Sequence, residues 1–281
     1  MRFIEFTKMH GLGNDFILLD AFINGLPRVK YPDFSQKICA RTSGIGADGL
    51  ILIMPGGKAN FRMRIYNSDG SQAEMCGNGF RCMIRYIYER GYTDKKTIAV
   101  DTLAGIITGE IVNDSEKKFT IRVAMGVPEF KADRIPLRTR KKEIIDGKIT
   151  IAGMKYTMTA VSIGNPHAVL FVDDWYFDWK AVGKKIENHR LFPAKANVEF
   201  VEILSRKKLI MRSWERGAGP TLASGTGSCA AVAAGIRTGR LDNKVQVQLK
   251  LGSLRIEQDK KSGLIFKTGP AEYICTGRYF Y

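Results

Sequence analysis

Cys76-Gly77-Asn78-Gly79 opens one apolar-periodic segment of this chain, and Ser224-Gly225-Thr226-Gly227 opens another 148 residues later. In the first segment Phe80, Met83, Ile84, Ile87 and Tyr88 recur at three- and four-residue steps, and Gly91 follows as a stop, which predicts an amphipathic helix. In the second, Cys229-Ala-Ala-Val-Ala-Ala-Gly-Ile236 is apolar nearly all round, which predicts a central, buried helix. A helix N-terminus presents unpaired backbone N–H groups and a partial positive charge. Glycine there lets a ligand approach the backbone closely. If the two segments face each other, their ends enclose a pocket in which both tetrads supply amides to one anion, such as a carboxylate. One thiol and one hydroxyl then stand where symmetry predicts a matched pair. That pattern points to proton transfer on both faces of a carbon atom. The helix-terminal field favours thiolate over thiol at Cys76. Its place ahead of two glycines, outside the apolar stripe, argues against a spectator thiol.

Other landmarks recur in the same order. Gly13-Asn14 returns as Gly164-Asn165, each pair leading into an apolar run that ends in aspartate: Phe16-Ile-Leu-Leu-Asp20 and Ala168-Val-Leu-Phe-Val-Asp173. Ala47-Asp48-Gly49-Leu50-Ile51 lines up with Asn197-Val198-Glu199-Phe200-Val201 at an offset of 150, and Phe61-Arg-Met-Arg-Ile-Tyr-Asn67 with Leu209-Ile-Met-Arg-Ser-Trp-Glu215 at 148. Gly91 matches Gly239 and Gly105 matches Gly252. Six matches in order imply a duplication, and a period this long makes each copy a domain rather than a solenoid repeat.

Strand signals dominate between the helices. Phe61, Met63 and Ile65 alternate with Arg62, Arg64 and Tyr66, and Val245-Gln-Val-Gln-Leu-Lys-Leu251 does the same. Thr97-Ile-Ala-Val-Asp101 and Ile106-Ile-Thr-Gly-Glu-Ile-Val112 read as a hairpin around Gly105. The fold class is therefore α+β: two pseudo-symmetric domains, each a curved, mostly antiparallel sheet wrapped around one central helix. The expected boundaries are 1–124 plus 268–281 for the first domain and 125–267 for the second. Gly44-Ile-Gly46-Ala-Asp-Gly49 fits G-x-G-x-x-G, but that fingerprint needs a strand before it and a helix after it. Here the β-like run Leu50-Ile-Leu-Ile53 follows, so a tight loop is expected in place of a nucleotide site.

Composition narrows the classes. The chain has 281 residues, 44% hydrophobic and 26% charged, enough for two domains with their own cores. Met1-Arg-Phe-Ile-Glu-Phe-Thr-Lys8 lacks the apolar core of a signal peptide. No uncharged apolar run reaches the roughly 18 residues of a membrane span. A cytoplasmic protein is expected. Net charge is +16, yet the Lys and Arg residues are dispersed, and the densest run, Arg134 to Lys142, falls between the repeats. No recognition-helix, zinc-finger or RNP-like aromatic pattern accompanies it, so nucleic-acid binding is not expected. A solvated face, and a positive field that draws in an acidic metabolite, account for it better. Five cysteines without a Cys-x-x-Cys pair, and three scattered histidines, suggest reduced thiols and no structural zinc. Cys39, Cys82, Cys229 and Cys275 read as packing residues.

Five segments carry a resemblance: Lys8-Met-His-Gly-Leu-Gly-Asn-Asp-Phe16, Gly44-Ile-Gly-Ala-Asp-Gly49, Tyr66-Asn-Ser-Asp-Gly-Ser-Gln-Ala-Glu-Met-Cys-Gly-Asn-Gly79, Gly164-Asn-Pro-His167 and Trp214-Glu-Arg-Gly-Ala-Gly219. On these long, specific motifs the chain resembles the diaminopimelate epimerase family over essentially its whole length. The resemblance implies cofactor-independent chemistry, without pyridoxal phosphate or metal. In it, two cysteines on opposite faces of an α-carbon interconvert L,L- and meso-diaminopimelate, on the route to lysine and peptidoglycan. Carried onto this chain, it makes Cys76 one acid/base thiol, with His167 and Glu215 assisting proton movement. Backbone amides of Gly77, Asn78, Gly225 and Thr226 would hold the reacting carboxylate. Asn14, Asn67, Asn165, Asn197 and Arg216 become substrate contacts, Arg216 being suited to a bidentate grip. The bland alternatives are turn caps for Asn14 and Asn165, and a surface pair between Glu215 and Arg216. The motifs do not fix the oligomeric state, for which a homodimer is the expectation.

The departure is Ser224, where the family pattern has cysteine. A hydroxyl is far less acidic than a thiol and a poor resting-state base, and a positioned acid or base is worth about 10²–10⁴ in rate. Three readings stay open at this point. The serine was introduced to silence the enzyme or block oxidation; it belongs to a natural relative working on another amino acid, or running elimination or one-sided exchange; or it marks a protein that binds substrate without turnover.

Overall fold

The computed structural model describes residues 2–115 and 118–281. In chain order the elements begin with β1 (Phe3–Gly11), β2 (Asn14–Asp20), α1 (Ala21–Asn24), α2 (Tyr31–Cys39), β3 (Gly49–Pro55), β4 (Phe61–Asn67) and β5 (Gln72–Ala73). Then come α3 (Gly77–Glu89), β6 (Thr97–Thr102), β7 (Gly105–Ser115), β8 (Lys118–Ala124), β9 (Gly147–Ile151), β10 (Met154–Ser162) and β11 (Pro166–Phe171). The chain continues through α4 (Trp179–Glu187), β12 (Asn197–Ser205), β13 (Lys208–Glu215), β14 (Gly219–Thr221) and α5 (Gly225–Arg237). It ends with β15 (Lys244–Leu249), β16 (Gly252–Gln258), β17 (Ile265–Pro270) and β18 (Glu272–Phe280). The class is α+β, mostly sheet with few helices. Two compact units divide the chain: Met1–Val123 with Gly269–Tyr281, and Ala124–Thr268.

Within each unit the pairing is mostly antiparallel, with parallel pairs β2–β3 and β4–β6 in the first and β11–β12 and β13–β15 in the second. Helix α3 buries Phe80, Met83, Ile84 and Ile87 against β1, β2, β3 and β7. Helix α5, lined with small residues, is buried from Gly227 to Gly235 against β10, β11, β12, β13 and β16. Both central helices run 13 residues from equivalent starts. The period-2 segments are strands whose alternate residues are buried, except that β15 stops at Leu249 and leaves Leu251 exposed in a turn. The hairpin turns at Gly105, whose φ of +100° suits glycine. Gly44 to Asp48 is a loop that leads into β3, with no helix after it.

Register refines the duplication. Phe16 pairs with Gly49, and Gly49 with Asn67; His167 pairs with Asn197, and Val198 with Trp214. Gly49 therefore corresponds to Asn197 and Ile51 to Glu199, an offset of 148 and not 150. The sequence match had aligned letters two residues away from the paired positions. Helices α2 and α4 also correspond at 148, so each unit carries a second helix that the periodicity did not predict. Helix α2 buries only Phe34, Ser35, Ile38 and Cys39, with a proline in its first turn, and α4 buries only Gly183, Ile186 and Glu187. At nine residues each, both are shorter than the stretch over which helical periodicity is read. Cys39, Cys82 and Cys229 are packed inside, but Cys275 is exposed on β18, a strand with solvent on both faces at that point. It is not a packing residue.

Candidate active site

In the first unit Cys76 is the N-cap of α3, half-buried, in extended conformation and without a side-chain capping bond. Its Sγ lies 3.7 Å from Oδ1 of Asn14, and Nδ2 of the buried Asn78 donates to the same oxygen at 3.1 Å. Asn14 is oriented from its other end. Its Nδ2 donates to Oδ2 of Asp48 at 2.7 Å, which turns Oδ1 toward the thiol. Asp48 is gripped by Arg41 at 2.7 Å, and Arg41 also holds Asp15 at 3.0 Å, with Lys8 3.1 Å from Asp15 on its other oxygen. Burial opposes ionisation of Asp15, but the hydrogen bonds and charges of Arg41 and Lys8 outweigh it and keep this carboxyl below its usual range. Arg81, fully buried, donates through Nη1 to the carbonyl of Gly77 at 3.2 Å and through Nε to that of Pro270 at 2.9 Å. With no side-chain cap, the amides at the start of α3 are available to an anion. Burial pushes the thiols of Cys39 and Cys82 up to about 12, which leaves them inert. Asn67 does not join the cluster: its amide donates to Ser71 Oγ at 2.9 Å in the turn after β4.

In the second unit Ser224 is the N-cap of α5, and its Oγ accepts from the amide of Gly227 at 3.2 Å. The hydroxyl also hydrogen-bonds Glu215. Glu215 ends β13, and its Oε1 accepts from Thr221 at 2.7 Å. Burial raises its pKa and the charge of Glu199 adds to the rise, while hydrogen bonds from Thr221 and Ser224 and the charge of His167 oppose it. His167, at the start of β11, is fully buried between two acceptors: Nδ1 is 2.9 Å from Oε1 of Glu199, and Nε2 is 2.8 Å from Oδ1 of Asn165. Asn197 ties its neighbours together, donating to the carbonyl of Pro166 at 3.0 Å and accepting from the amide of Arg216 at 3.0 Å. Arg216 is exposed and its Nη1 donates to the carbonyl of Ala194 at 3.0 Å. It does not pair with Glu215. Gly225 and Thr226 form the first turn of α5.

In the first unit Cys76, Asn14 and Asn78 are in contact at the head of α3. In the second, Ser224 heads α5 with Glu199 beside its first turn and His167 and Asn165 linked behind it. The side chains of Asn67 and Arg216 bond elsewhere. Sequence reasoning missed the acids behind them. Asp48 lay in a motif already singled out. Glu199 interrupts an apolar strand run two residues after Asn197, a spacing that turns both side chains to one face.

The sequence model of the family described as "Diaminopimelate epimerase" matches residues 6–131 and 159–274. The chain belongs to that family. Among its relatives is the diaminopimelate epimerase of Desulfitobacterium hafniense, 46% identical over 98% of this chain and 97% of its own length. That of Moorella thermoacetica is 45% identical over 98% and 99%. Solved structures share the fold. A Bacillus anthracis phenazine biosynthesis protein of the PhzF family superposes with a TM-score of 0.73 at 17% identity, covering 100% of both chains. A hydroxyproline epimerase from Agrobacterium vitis gives 0.67 at 14%, covering 99% of this chain and 91% of that one. No helix among the described residues is long and apolar enough to cross a membrane.

Proposed function

We propose that this member of the diaminopimelate epimerase family interconverts L,L- and meso-diaminopimelate without a cofactor, by proton transfer at the α-carbon, and that Ser224 impairs the reaction. The observation that carries the reading is the uncapped thiol of Cys76 at the head of α3, flanked by Asn14 and Asn78. The amides of Gly77 and Asn78 beside the thiol suit a substrate carboxylate. His167 and Glu215 assist proton movement. Asn14, Asn165, Asn197 and Arg216, with the amides of Gly225 and Thr226, complete the proposed substrate contacts. Asn67 and Asn197 have the weakest support, because Ser71 engages the amide of the first and Pro166 and Arg216 engage both ends of the second.

Ser224 supplies the limit. Its oxygen accepts from Gly227, and a hydroxyl is a poor base in its resting state. The same reading puts the protein in the cytoplasm as a homodimer. Exposed apolar side chains on β1 and β18, among them Phe3, Ile274 and Phe280, support self-association.

Exchange of the α-proton in heavy water tests the reading. Diaminopimelate incubated with this chain should gain deuterium slowly, and Ser224→Cys should raise epimerisation about 100-fold or more. A folded Ser224→Cys variant that gains nothing would overturn the paired acid–base interpretation.

A further inference from the structure

The two units fill one corresponding place with opposite chemistry. In the first, Ile51 Cδ1 stands 2.7 Å from where a Cβ on Gly79 would lie, with Phe16 behind it at 3.3 Å. In the second, the matching positions are Glu199 and His167, and Glu199 Oε1 stands 2.6 Å from where a Cβ on Gly227 would lie. Ser224 Oγ is 2.8 Å from that same point, so the glycine makes room for carboxylate and hydroxyl together. All four side chains, Phe16 and Ile51, His167 and Glu199, are buried. Packing alone is served by the apolar pair.

The polar pair is costly as structure. A buried ion pair rarely outperforms apolar residues of similar volume. Here Oε2 of Glu199 has no hydrogen-bond partner, and the hydroxyl of Ser213, its cross-strand neighbour, is likewise buried and unpaired. Leaving polar atoms in that condition is unfavourable. Yet the carboxylate meets Nδ1 of His167 at 2.9 Å, and the ring's other nitrogen meets the side-chain amide of Asn165.

We propose that Glu199 is a positioning residue for the proton-transfer chemistry: its carboxylate keeps the proton on Nδ1 of His167 and leaves Nε2 as the ring atom that gains and loses a proton. An ionised carboxylate only accepts, so Nδ1 must donate to it. Asn165 can face Nε2 in either state, offering its oxygen when Nε2 is protonated and, after a half-turn of the amide, its NH₂ when Nε2 is bare. The ring therefore exchanges a proton at one nitrogen without rotating: each N–H bond made at Nε2 matches an S–H or O–H bond broken in the donating group, and each one broken matches such a bond formed. Glu199 also connects the ring to the Ser224 side of the site. This deepens the epimerase reading and rests on it.

The test combines nitrogen NMR with turnover. With only three histidines in the chain, His167 can be assigned by its loss in His167→Gln. In the parent protein Nδ1 of His167 should carry a slowly exchanging proton throughout the pH range in which the fold is intact. Glu199→Gln should lose that signature and lower kcat of α-proton exchange about 100-fold with KM unchanged, because the tautomer is no longer held. Glu199→Asp should restore part of both. A bare Nδ1 in the parent, or a Glu199→Gln variant with parental kcat, overturns the proposal. If Glu199→Gln does not fold, the parent spectrum still decides. Absence of any exchange with diaminopimelate in the parent and in Ser224→Cys would instead defeat the epimerase reading, leaving the nitrogen spectrum to judge Glu199 separately.

Discussion

At the head of α3 a thiol leads an uncapped helix, backed by an amide cluster and an apolar floor; at the head of α5 a hydroxyl caps its own helix, backed by a buried histidine and two acids. The strand registers and helix lengths behind these sites are the same to within a residue. Duplication has thus supplied one scaffold twice. The difference lies in what fills the few positions around the first helical turn. In the first unit the side chains orient one another through neutral amides, with charge kept a step away on Asp48, Asp15, Arg41 and Lys8. In the second, ionisable groups are themselves in contact, and burial shifts one of them, Glu215, upward. The first head is thus built from neutral donors around a thiol, and the second from coupled ionisable groups of the kind that tune one another's protonation.

The largest effect that would break this comparison is expected at Cys76. Cys76→Ala should abolish α-proton exchange, a loss of about 10²–10⁴-fold, with unchanged circular dichroism, since the side chain makes only a long contact to Asn14. Residual full activity would take Cys76 out of its role and leave the second unit as the reactive one. A transplant comes next. His167→Phe combined with Glu199→Ile gives the second unit the floor of the first. Because a buried polar pair with an unpaired oxygen contributes little to stability, this double variant should match the parent or gain about 1–4 kcal/mol in denaturant unfolding. Exchange should be lost at the same time. A marked destabilisation would show the pair to be structural and remove the contrast between the floors.

Much of this was legible in the sequence, and the parts that were not share a cause. The helices α3 and α5 announce themselves because apolar spacing and flanking glycines are local signals. Cys76, His167, Glu215 and Asn14 are legible because they sit in long motifs. Asp48 and Glu199 act across strand pairs: Asn14 reaches Asp48 34 residues on, and His167 reaches Glu199 32 residues on. Such partners depend on which strands lie side by side and in what register, and parallel pairs such as β11–β12 leave no hairpin turn to fix it. The two-residue slip in matching Asp48 to Glu199 has the same origin, as letters were compared where pairing decides. Asn67 is a different case. Its motif marks it as a substrate contact, and its amide nitrogen also serves the local turn through Ser71.

The smallest effect separates the two roles of position 224. Serine is among the better N-caps, and its Oγ accepts from Gly227 at 3.2 Å, whereas Cys76 leaves α3 without such a bond. Replacing that oxygen with the larger, weakly accepting sulfur should cost about 0.5–2 kcal/mol, so Ser224→Cys should unfold at lower urea than the parent while turning over faster. Ser224→Ala gives the reference, with the same order of stability loss and no gain in exchange. If Ser224→Cys proves as stable as the parent, the cap is not what distinguishes the two helix heads. The difference between the units then rests on the acids and the histidine alone.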